Sequence, residues 1–379
     1  MTRLGLRSGW LAILAACTPP APTDYPWHIP ADYPRPVVPD RNPMTAAKVT
    51  LGRHLFFDVR LSWNGEQACA SCHQPEHAFS EPRQTAVGST GERHARNTLA
   101  LVNVAYSDAF MWAHPGLRGI EAQTLVPLFG EDPVELGIAG HEREVFARFD
   151  DDPDYRRRLS EAFPRADAFA LQHVVDALAC FVRSLTSFDT PFDRYAYAGE
   201  DDAMDERAIR GLNHFFSERF ECHHCHGGLN FTASSTHGDV ALPSTTFHNT
   251  GLYNVGGDNA YPDHDQGLYE LTEQPTDRGK FRAPTLRNVA LTAPYMHDGS
   301  LPDLGAVLDF YAAGGRNLTT GPYAGDGRAN AYKSQFVRGF DMTPEERDDL
   351  LAFLHALTDP SFVERAVRSR LDVQANRHL

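Results

Sequence analysis

Basic residues and long apolar runs are both scarce in this chain. It carries 35 lysines and arginines against 50 aspartates and glutamates, which gives a formal net charge of −15. A nucleic acid or an anionic membrane surface needs a basic patch that neutralises phosphates, so the charge balance argues against both as partners. The apolar run from Trp10 to Ala16 is too short to span a bilayer as a stable helix. With 379 residues, 42% of them hydrophobic, the chain is long enough for two domains with separate cores.

The first residues have the features of an export signal. Basic residues precede the short apolar run, which ends in Leu14-Ala-Ala-Cys17. This ending resembles the bacterial lipobox, in which the cysteine is lipidated and becomes the mature N-terminus. We expect residues 1–17 to be a lipoprotein signal peptide and Cys17 to carry the lipid; the alternative is an ordinary cleaved signal with an incidental cysteine. The mature protein would then be periplasmic or at the cell surface, and attached to the membrane only through the lipid. The proline-rich residues 18–44 are typical of an extended tether.

Cysteine is also rare, and four of the six cysteines lie in two copies of one pattern. The copies are Cys69-Ala-Ser-Cys72-His73 and Cys222-His-His-Cys225-His226. Two thiols one helical turn apart can add to the two vinyl groups of one haem, and the adjacent histidine then reaches the iron as proximal ligand. Disulfides would leave the paired histidines unexplained, and zinc would use the thiolates that thioether formation consumes. The pattern predicts two covalently bound haem c groups, with His73 and His226 as proximal ligands.

Cys180 lies outside both motifs, in a segment with helical spacing of apolar residues. We expect it to be a small buried side chain within a helix.

Helical spacing of apolar residues dominates the rest of the chain. It predicts helices over Thr45–Phe57, Leu171–Phe188 and Met204–Phe216, and a capping box at Thr343 predicts a terminal helix. Strand signals are weak and short. We therefore predict a mainly α fold with two cytochrome c-like domains, residues 45–198 and 199–379, each with one covalently attached haem. Residues 232–280, rich in glycine and polar residues, are expected to form an extended loop.

Longer stretches around the motifs resemble one enzyme family. Leu51-Gly-Arg-His-Leu-Phe-Phe-Asp58 precedes the first motif, and Phe281-Arg-Ala-Pro-Thr-Leu-Arg-Asn-Val-Ala-Leu-Thr-Ala-Pro-Tyr-Met-His-Asp-Gly-Ser300 follows the second. The order of these stretches resembles the bacterial di-haem cytochrome c peroxidase and MauG superfamily. The stretches Cys69–Glu76, Val87–His94 and Val126–Gly137 look most like its MbnH-like branch. Enzymes of that branch oxidise a tryptophan on a small exported copper-binding protein to kynurenine.

The resemblance implies an open first haem. The peroxidases close this haem at rest with a distal histidine, and Ser89 stands at the matching position. His77 and His94 are the nearby residues that could substitute for it. Glu135 matches the distal acid that moves a proton between the peroxide oxygens, and Gln123 matches the neighbouring hydrogen-bonding glutamine.

For the second haem, the resemblance places Tyr311 at the position of the sixth iron ligand. The peroxidases have methionine there and MauG-like enzymes have tyrosine, whose phenolate is a hard anionic donor that stabilises oxidised iron. Met296 is the competing ligand and Met342 a more distant one.

The resemblance also implies a third group of residues, which would carry electrons between the two haems and to a partner protein. Trp112 falls at the family position between the haems, where an indole could relay an electron. MauG-like enzymes carry a surface tryptophan six residues before the second haem histidine, but this chain has Phe220 there. Oxidation of a remote partner would therefore need another exit, such as Trp63, Trp27 or a tyrosine.

The resemblance also implies one calcium ion between the domains, bound through Asn97, Thr292 and Pro294. The expected function is a di-haem oxidoreductase that uses hydrogen peroxide to form a high-valent di-haem state. That state would oxidise a tryptophan on a partner protein. Two alternatives remain open: a conventional di-haem peroxidase that reduces hydrogen peroxide with electrons from a small redox donor, and a non-enzymatic di-haem electron carrier.

Overall fold

The computed structural model describes residues 25–238 and 245–375, and the fold in them is mainly helical, as predicted. Cys17 and the whole of the predicted signal peptide lie outside the described residues. The α-helices are α1 (Ala46–Phe57), α2 (Cys69–Cys72), α3 (Ile120–Phe129), α4 (Glu142–Asp150), α5 (Pro153–Ala162), α6 (Leu171–Arg183), α7 (Pro191–Tyr197), α8 (Glu206–Phe215), α9 (Tyr269–Thr272), α10 (Leu304–Ala312), α11 (Pro344–His355) and α12 (Pro360–Ala375). Short 3-10 helices occupy Val59–Leu61, Pro75–His77, Val104–Tyr106, Cys222–His224, Pro275–Asp277, Val289–Leu291 and Gly327–Ala329.

Strands are few and short in the described residues. β1 (Phe247–Asn249) pairs antiparallel with β2 (Lys280–Arg282), and β3 (Asn317–Leu318) pairs with β4 (Gly325–Asp326). The segment predicted as an extended loop, residues 232–280, is mostly irregular in its described part and contributes β1 and α9. Neither two-stranded sheet forms a layer of the core.

Two helix pairs of the same design form the centres of the two halves. α1 packs on α6, and α8 packs on α11. A Cβ atom at Gly52 of α1 would lie 1.9 Å from the Ala177 carbonyl oxygen, and one at Gly211 of α8 would lie 1.9 Å from the Asp349 carbonyl oxygen. Each crossing is therefore so close that only glycine fits, and each glycine precedes a Phe-Phe pair in the same helix or at its end.

The predicted helices are present, with two corrections. The helix predicted over Leu171–Phe188 ends at Arg183, and Phe188 is buried in an irregular segment that follows it. Thr343 caps α11 with the predicted capping box, but α11 is not the terminal helix because α12 follows after the short connection at Asp359. Cys180 is fully buried within α6, as predicted.

The hydrophobic core has two main clusters, as expected for two domains, but one helix packs in the cluster that its position in the chain does not indicate. α1, α4, α5 and α6 surround the first and largest cluster, and α7, α8, α10 and α11 surround the second. The last helix, α12, inserts Phe362, Ala366 and Val373 into the first cluster, and the Phe362 ring lies 6.1 Å from that of Phe79. α12 therefore completes the core that α1 and α6 form far earlier in the sequence.

Part of the proline-rich segment packs against this body. Residues 25–44 contain no helix or strand, which fits their proline content, but Ile29 and Tyr33 are buried beside Tyr106 and Phe188. The Tyr33 hydroxyl donates to Asp193 at 3.0 Å. The described part of the predicted tether thus belongs to the folded body.

Ion pairs connect segments that are far apart in the sequence. Arg287 makes a two-pronged contact with Asp193, at 2.8 and 2.9 Å, and both side chains are almost fully buried. Arg96 of the first half binds Asp265 and Glu270 of the second.

No helix among residues 25–238 and 245–375 has the length and apolar content needed to cross a bilayer.

Candidate di-haem site

A single connected cavity runs between the two halves. Its volume is about 1640 Å³, which exceeds the roughly 300–1,000 Å³ of a typical small-molecule pocket. Both Cys-x-x-Cys-His motifs line it, through all four cysteines and both histidines. The cavity is therefore large enough for more than one bulky group, with an attachment motif for each.

The first motif forms one turn of helix, α2, that brings its side chains to the cavity. The His73 backbone N–H donates to the Cys69 carbonyl at 2.9 Å, so the histidine follows directly on the cysteine turn. The Nδ1–H of His73 donates to the Phe79 carbonyl at 2.8 Å. This hydrogen bond fixes the tautomer and leaves Nε2 as the atom available to a metal.

The second motif repeats this geometry. The His226 N–H donates to the Cys222 carbonyl at 3.0 Å, and its Nδ1–H donates to the Phe231 carbonyl at 3.1 Å. Burial lowers the pKa of His226 to about 4, so this imidazole is neutral at pH 7, as an iron ligand must be. The two halves thus present the same ligand in the same orientation.

Two residues that orient these ligands were missed by the sequence analysis. Phe79 and Phe231 are fully buried, and both have left-handed backbone, with φ of 61° and 50°. This conformation is strained for a bulky residue, so the packing around each ring holds the carbonyl in place. A hydroxyl follows each phenylalanine: Ser80 donates to the Thr98 carbonyl and Thr232 to the Ala283 carbonyl. A Phe-Ser/Thr pair five to six residues after each motif histidine is the signal that could have identified them.

The four motif thiols are free and line the shared cavity. None of the four motif cysteines is in a disulfide. Burial raises the pKa of Cys69, Cys72 and Cys222 to about 12 and that of Cys225 to about 11. Each pair lies on the cavity wall beside the histidine of its own motif, as haem attachment requires.

The end of the cavity beside the first motif holds the predicted distal residues. Gln123 of α3 lines it, and its amide oxygen is buried without a hydrogen-bond partner. Glu135 also lines it, and burial raises the pKa of this carboxyl to about 7. A buried acceptor without a partner and a carboxyl that titrates near neutrality are suited to a polar ligand that must gain and lose protons.

Ser89 is held beside Glu135 by the backbone. Its N–H donates to the Glu135 carbonyl at 3.0 Å, and its own carbonyl accepts from Asn64 at 2.9 Å. The preceding Gly88 lies so close to Val134 that a Cβ there would be 1.9 Å from the Val134 carbonyl oxygen. The loop that carries a distal histidine in the peroxidases is therefore fixed here and carries a serine.

The two histidines considered as substitutes lie in different places. His94 lines the cavity, and burial lowers its pKa. His77 does not line the cavity; its ring contacts the Leu291 carbonyl at 3.2 Å. Of the two, only His94 is positioned to contact a group in the cavity.

The other end of the cavity holds the predicted sixth-ligand residues. Tyr311, on α10, lines it, and its pKa is raised by burial and then by the nearby Cys225 and Cys222 thiols, which places the phenol beside the second motif. Met296 lines the cavity as well, whereas Met342 does not and packs in the second core cluster. Tyr311 and Met296 therefore both remain candidates on position alone.

Trp112 lies where the halves meet. Its indole N–H donates to the Asn97 carbonyl at 2.8 Å, and its own carbonyl accepts from the Arg282 N–H at 2.8 Å. The side chain lines the cavity that both motifs share. This hydrogen bonding fixes the ring in the interface between the first and second halves.

The predicted calcium residues all line the shared cavity. Asn97, Thr292 and Pro294 all line the cavity, and the Asn97 N–H donates to the His297 carbonyl at 2.7 Å. The Asn97 amide donates to the Arg83 and Gln84 carbonyls, which leaves its oxygen as the atom available to a cation. Calcium binding at these three residues stays a prediction.

The candidate exit residues differ in exposure. Phe220 is buried against Phe340, with ring centroids 4.7 Å apart, and it lines the cavity. Trp27 is half-buried beside Tyr25. Trp63 has 39% of its surface exposed and stacks on His141 at 3.5 Å between ring centroids. Among the tryptophans in the described residues, Trp63 is the most exposed.

Comparison with known proteins agrees with this geometry. Residues 46–202 match the family model described as di-haem cytochrome c peroxidase. The chain is 33% identical to the methylamine utilization protein MauG of Methylorubrum extorquens, over 84% of this chain and 80% of that protein. The chain belongs to the di-haem cytochrome c peroxidase and MauG family. This member is therefore a haem-dependent, peroxidase-type oxidoreductase with two haem c cofactors, as its motifs predict.

Two further relatives cover most of the chain. A cytochrome c peroxidase of Denitromonas iodatirespirans is 34% identical over 92% of both chains. The crystal structure of a MauG-like protein associated with microbial copper homeostasis has 44% identity and a TM-score of 0.87, and covers 89% of this chain and 97% of that one. The family assignment and the two-domain cytochrome c-like fold are both confirmed.

Proposed function

We propose that this family member uses hydrogen peroxide to oxidise a tryptophan on a partner protein, with kynurenine as the product that the branch resemblance implies. The observation that carries the proposal is the shared cavity. Glu135 and Gln123 line one end of it, Tyr311 lines the other, and Trp112 lines it at the interface. When bound, the two haems would supply the reaction with peroxide and the storage of two oxidising equivalents.

The motif residues hold the cofactors. Cys69 and Cys72 attach the first haem, Cys222 and Cys225 the second, and His73 and His226 each direct Nε2 towards the cavity. The carbonyls of Phe79 and Phe231 fix the orientation of the two imidazoles through the hydrogen bonds at 2.8 and 3.1 Å.

At the first end, Glu135 moves the peroxide proton. Its carboxylate form would accept a proton from one oxygen of hydrogen peroxide, and its acid form would return that proton to the other oxygen, which leaves as water when the O–O bond breaks. Gln123 binds the same ligand through its side-chain amide, whose oxygen has no other partner. The fixed loop at Ser89 supplies no histidine ligand, and His94 is the substitute considered above that lines the cavity.

At the second end, Tyr311 would hold the second haem as a ligand, and Trp112 would lie on the path between the two ends. An anionic phenolate favours oxidised iron, which suits an enzyme that stores oxidising equivalents. Calcium at Asn97, Thr292 and Pro294 would hold the two halves in register at the same interface.

The oxidising equivalents leave through Trp63. Its backbone N–H donates to the Leu136 carbonyl at 2.8 Å, one residue from Glu135, and its Cβ lies close to Gly137. Trp63 therefore contacts the segment that lines the first end of the cavity and also reaches solvent. Phe220, by contrast, is buried, and its phenyl ring is a poor carrier of oxidising equivalents.

The exit can be tested without a partner. Repeated peroxide additions to the protein alone should place oxygen-addition products on Trp63, detected by peptide mass spectrometry. The variant Trp63→Phe should react with peroxide at the normal rate but oxidise an added partner more slowly, and Trp27→Phe should behave as the native protein. Unmodified Trp63 after many turnovers would refute this route.

The partner proposed is a small exported copper-binding protein. The relative with 44% identity is described as associated with copper homeostasis, which supports a partner in that setting. We propose the periplasm or the cell surface as the location, with the lipid at Cys17 as the membrane attachment.

Electron paramagnetic resonance of the resting diferric protein tests the whole proposal. One high-spin and one low-spin signal, both lost on adding stoichiometric peroxide, would support an open first haem and sharing of the oxidising equivalents. Two low-spin signals that ignore peroxide until one haem is reduced would favour a conventional peroxidase, which the 34% identical relative makes the second candidate. Two low-spin signals indifferent to peroxide in every state would indicate an electron carrier.

A further inference from the structure

A second cluster of metal-binding side chains lies on the outer side of the second haem-attachment turn. Glu218, His223 and His224 each offer one ligand atom, and these atoms lie within 4.8 Å of one another. The two histidines are the variable residues between Cys222 and Cys225, and neither lines the cavity. The cluster is therefore separate from the haem ligands although it shares their turn.

The distances match a metal site. The Glu218 carboxylate oxygens lie 3.5 Å from His223 Nε2 and 3.4 Å from His224 Nε2. A metal bound at about 2.0–2.1 Å in tetrahedral geometry separates its ligand atoms by roughly 3.3–3.4 Å. The rings of His223 and His224 are only 4.2 Å apart, so both imidazoles can face one ion.

Neighbouring residues hold the cluster in place and set its charge. The His224 ring stacks on Phe336 at 4.3 Å, and its Nε2 lies 2.8 Å from the Glu221 carboxylate. Arg338 pairs with the other oxygen of Glu221 and donates to the Glu218 carbonyl. Two carboxylates against one guanidinium leave a net negative site, which favours a cation.

We propose that Glu218, His223 and His224 bind one divalent late first-row transition metal ion, with water in the fourth position. Two imidazoles and one carboxylate are the ligand set of open zinc sites, and copper binds nitrogen ligands more strongly than the other divalent ions of its row. The Glu221 carboxylate, 2.8 Å from His224 Nε2, is the nearest additional ligand. The ion would sit on the turn that carries the second haem, at the protein surface.

The test uses the full, haem-loaded protein and Zn²⁺ or Cu²⁺ alone. Calorimetric titration with Zn²⁺ should give one equivalent whose affinity falls at least about tenfold in Glu218→Gln, His223→Ala and His224→Ala, since even outer-sphere changes cost that much at metal sites. The exposed residues Glu345 and His355 provide the controls Glu345→Gln and His355→Ala, which should bind as the native protein does. With Cu²⁺, the paramagnetic resonance spectrum should show coupling to two nitrogens and lose it in the histidine variants.

Glu218→Gln keeps the experiment decisive if a histidine variant loses haem. Glu218 lies outside the attachment motif and its side chain is 79% exposed, so its replacement has no route to disturb the core. Equal Zn²⁺ affinity in the native protein and Glu218→Gln, or the absence of a bound equivalent in the native protein, would overturn the proposal.

Discussion

Replacing Glu135 with glutamine removes the carboxyl at the first end of the cavity and keeps its shape. Burial raises the pKa of this carboxyl from 4.5 to about 7. A pKa of about 7 leaves about one tenth of the carboxyl ionised at pH 6, half at pH 7 and about nine tenths at pH 8. Because the carboxylate is the form that accepts the peroxide proton, the rate constant with peroxide should rise as the pH increases through 7 and level off above it.

Stopped-flow mixing with hydrogen peroxide measures this profile directly. In Glu135→Gln the rate constant should fall by about 10²–10⁴-fold and lose its inflection near pH 7, because a positioned proton-transfer group contributes about that factor. Glu131, four residues earlier and exposed, gives the control Glu131→Gln, which should keep the native rate and inflection. A native inflection near 4.5, or an unchanged profile in Glu135→Gln, would refute the assignment of Glu135 as the proton-transfer group.

Three further predictions concern stability and ligation. Gly52→Ala and Gly211→Ala should each lower the free energy of unfolding by at least about 1–3 kcal/mol in urea titrations, because the added Cβ forces two packed helices apart. The control Gly116→Ala should change it little, since a Cβ there would meet its nearest atom at 3.5 Å. Equal effects at all three positions would contradict the argument from the close helix crossings. Asp193→Ala should lower the free energy of unfolding by about 3–5 kcal/mol, because it leaves Arg287 buried without its partner. Asp348→Ala, which breaks the exposed pair with Arg207, should lower it by under about 1 kcal/mol. A small loss of stability in Asp193→Ala would mean that water reaches Arg287. Tyr311→Phe should change the absorption and paramagnetic resonance spectra of the second haem and Met296→Leu should not, and the reverse pattern would assign Met296 as the ligand.

Local signals in the sequence account for the parts of the fold that were predicted. The side chain of Thr45 caps α1, that of Asp205 caps α8 and the capping box at Thr343 begins α11, and each of these helices starts at or within two residues of its predicted position. The end of α6 was placed five residues too late, because the buried Phe188 continues the apolar pattern after the helix has stopped. Apolar periodicity reports burial, and burial continues into irregular segments.

The arrangement of the site depends on contacts that no local pattern encodes. The motifs predict which histidines face the iron, but the carbonyls of Phe79 and Phe231 that orient them depend on left-handed backbone within a packed core. Likewise, Glu135 and Ser89 are 46 residues apart in the chain and meet only because Gly88 allows their two loops to approach closely. Family resemblance identified these residues, whereas composition and spacing alone could not have placed them together.

The position of α12 has a consequence for the order in which the protein can be assembled. α12 follows every haem-binding residue in the chain, yet it covers Phe79, the residue whose carbonyl orients the first haem ligand. The first core therefore stays incomplete, with part of its apolar surface uncovered, until α12 has been added to the chain and has packed against it. A chain truncated after α11 would lack the helix that covers the first core but would retain every haem-binding residue. Such a truncated chain would be recognised as unfolded by proteases even though its cofactor motifs were intact.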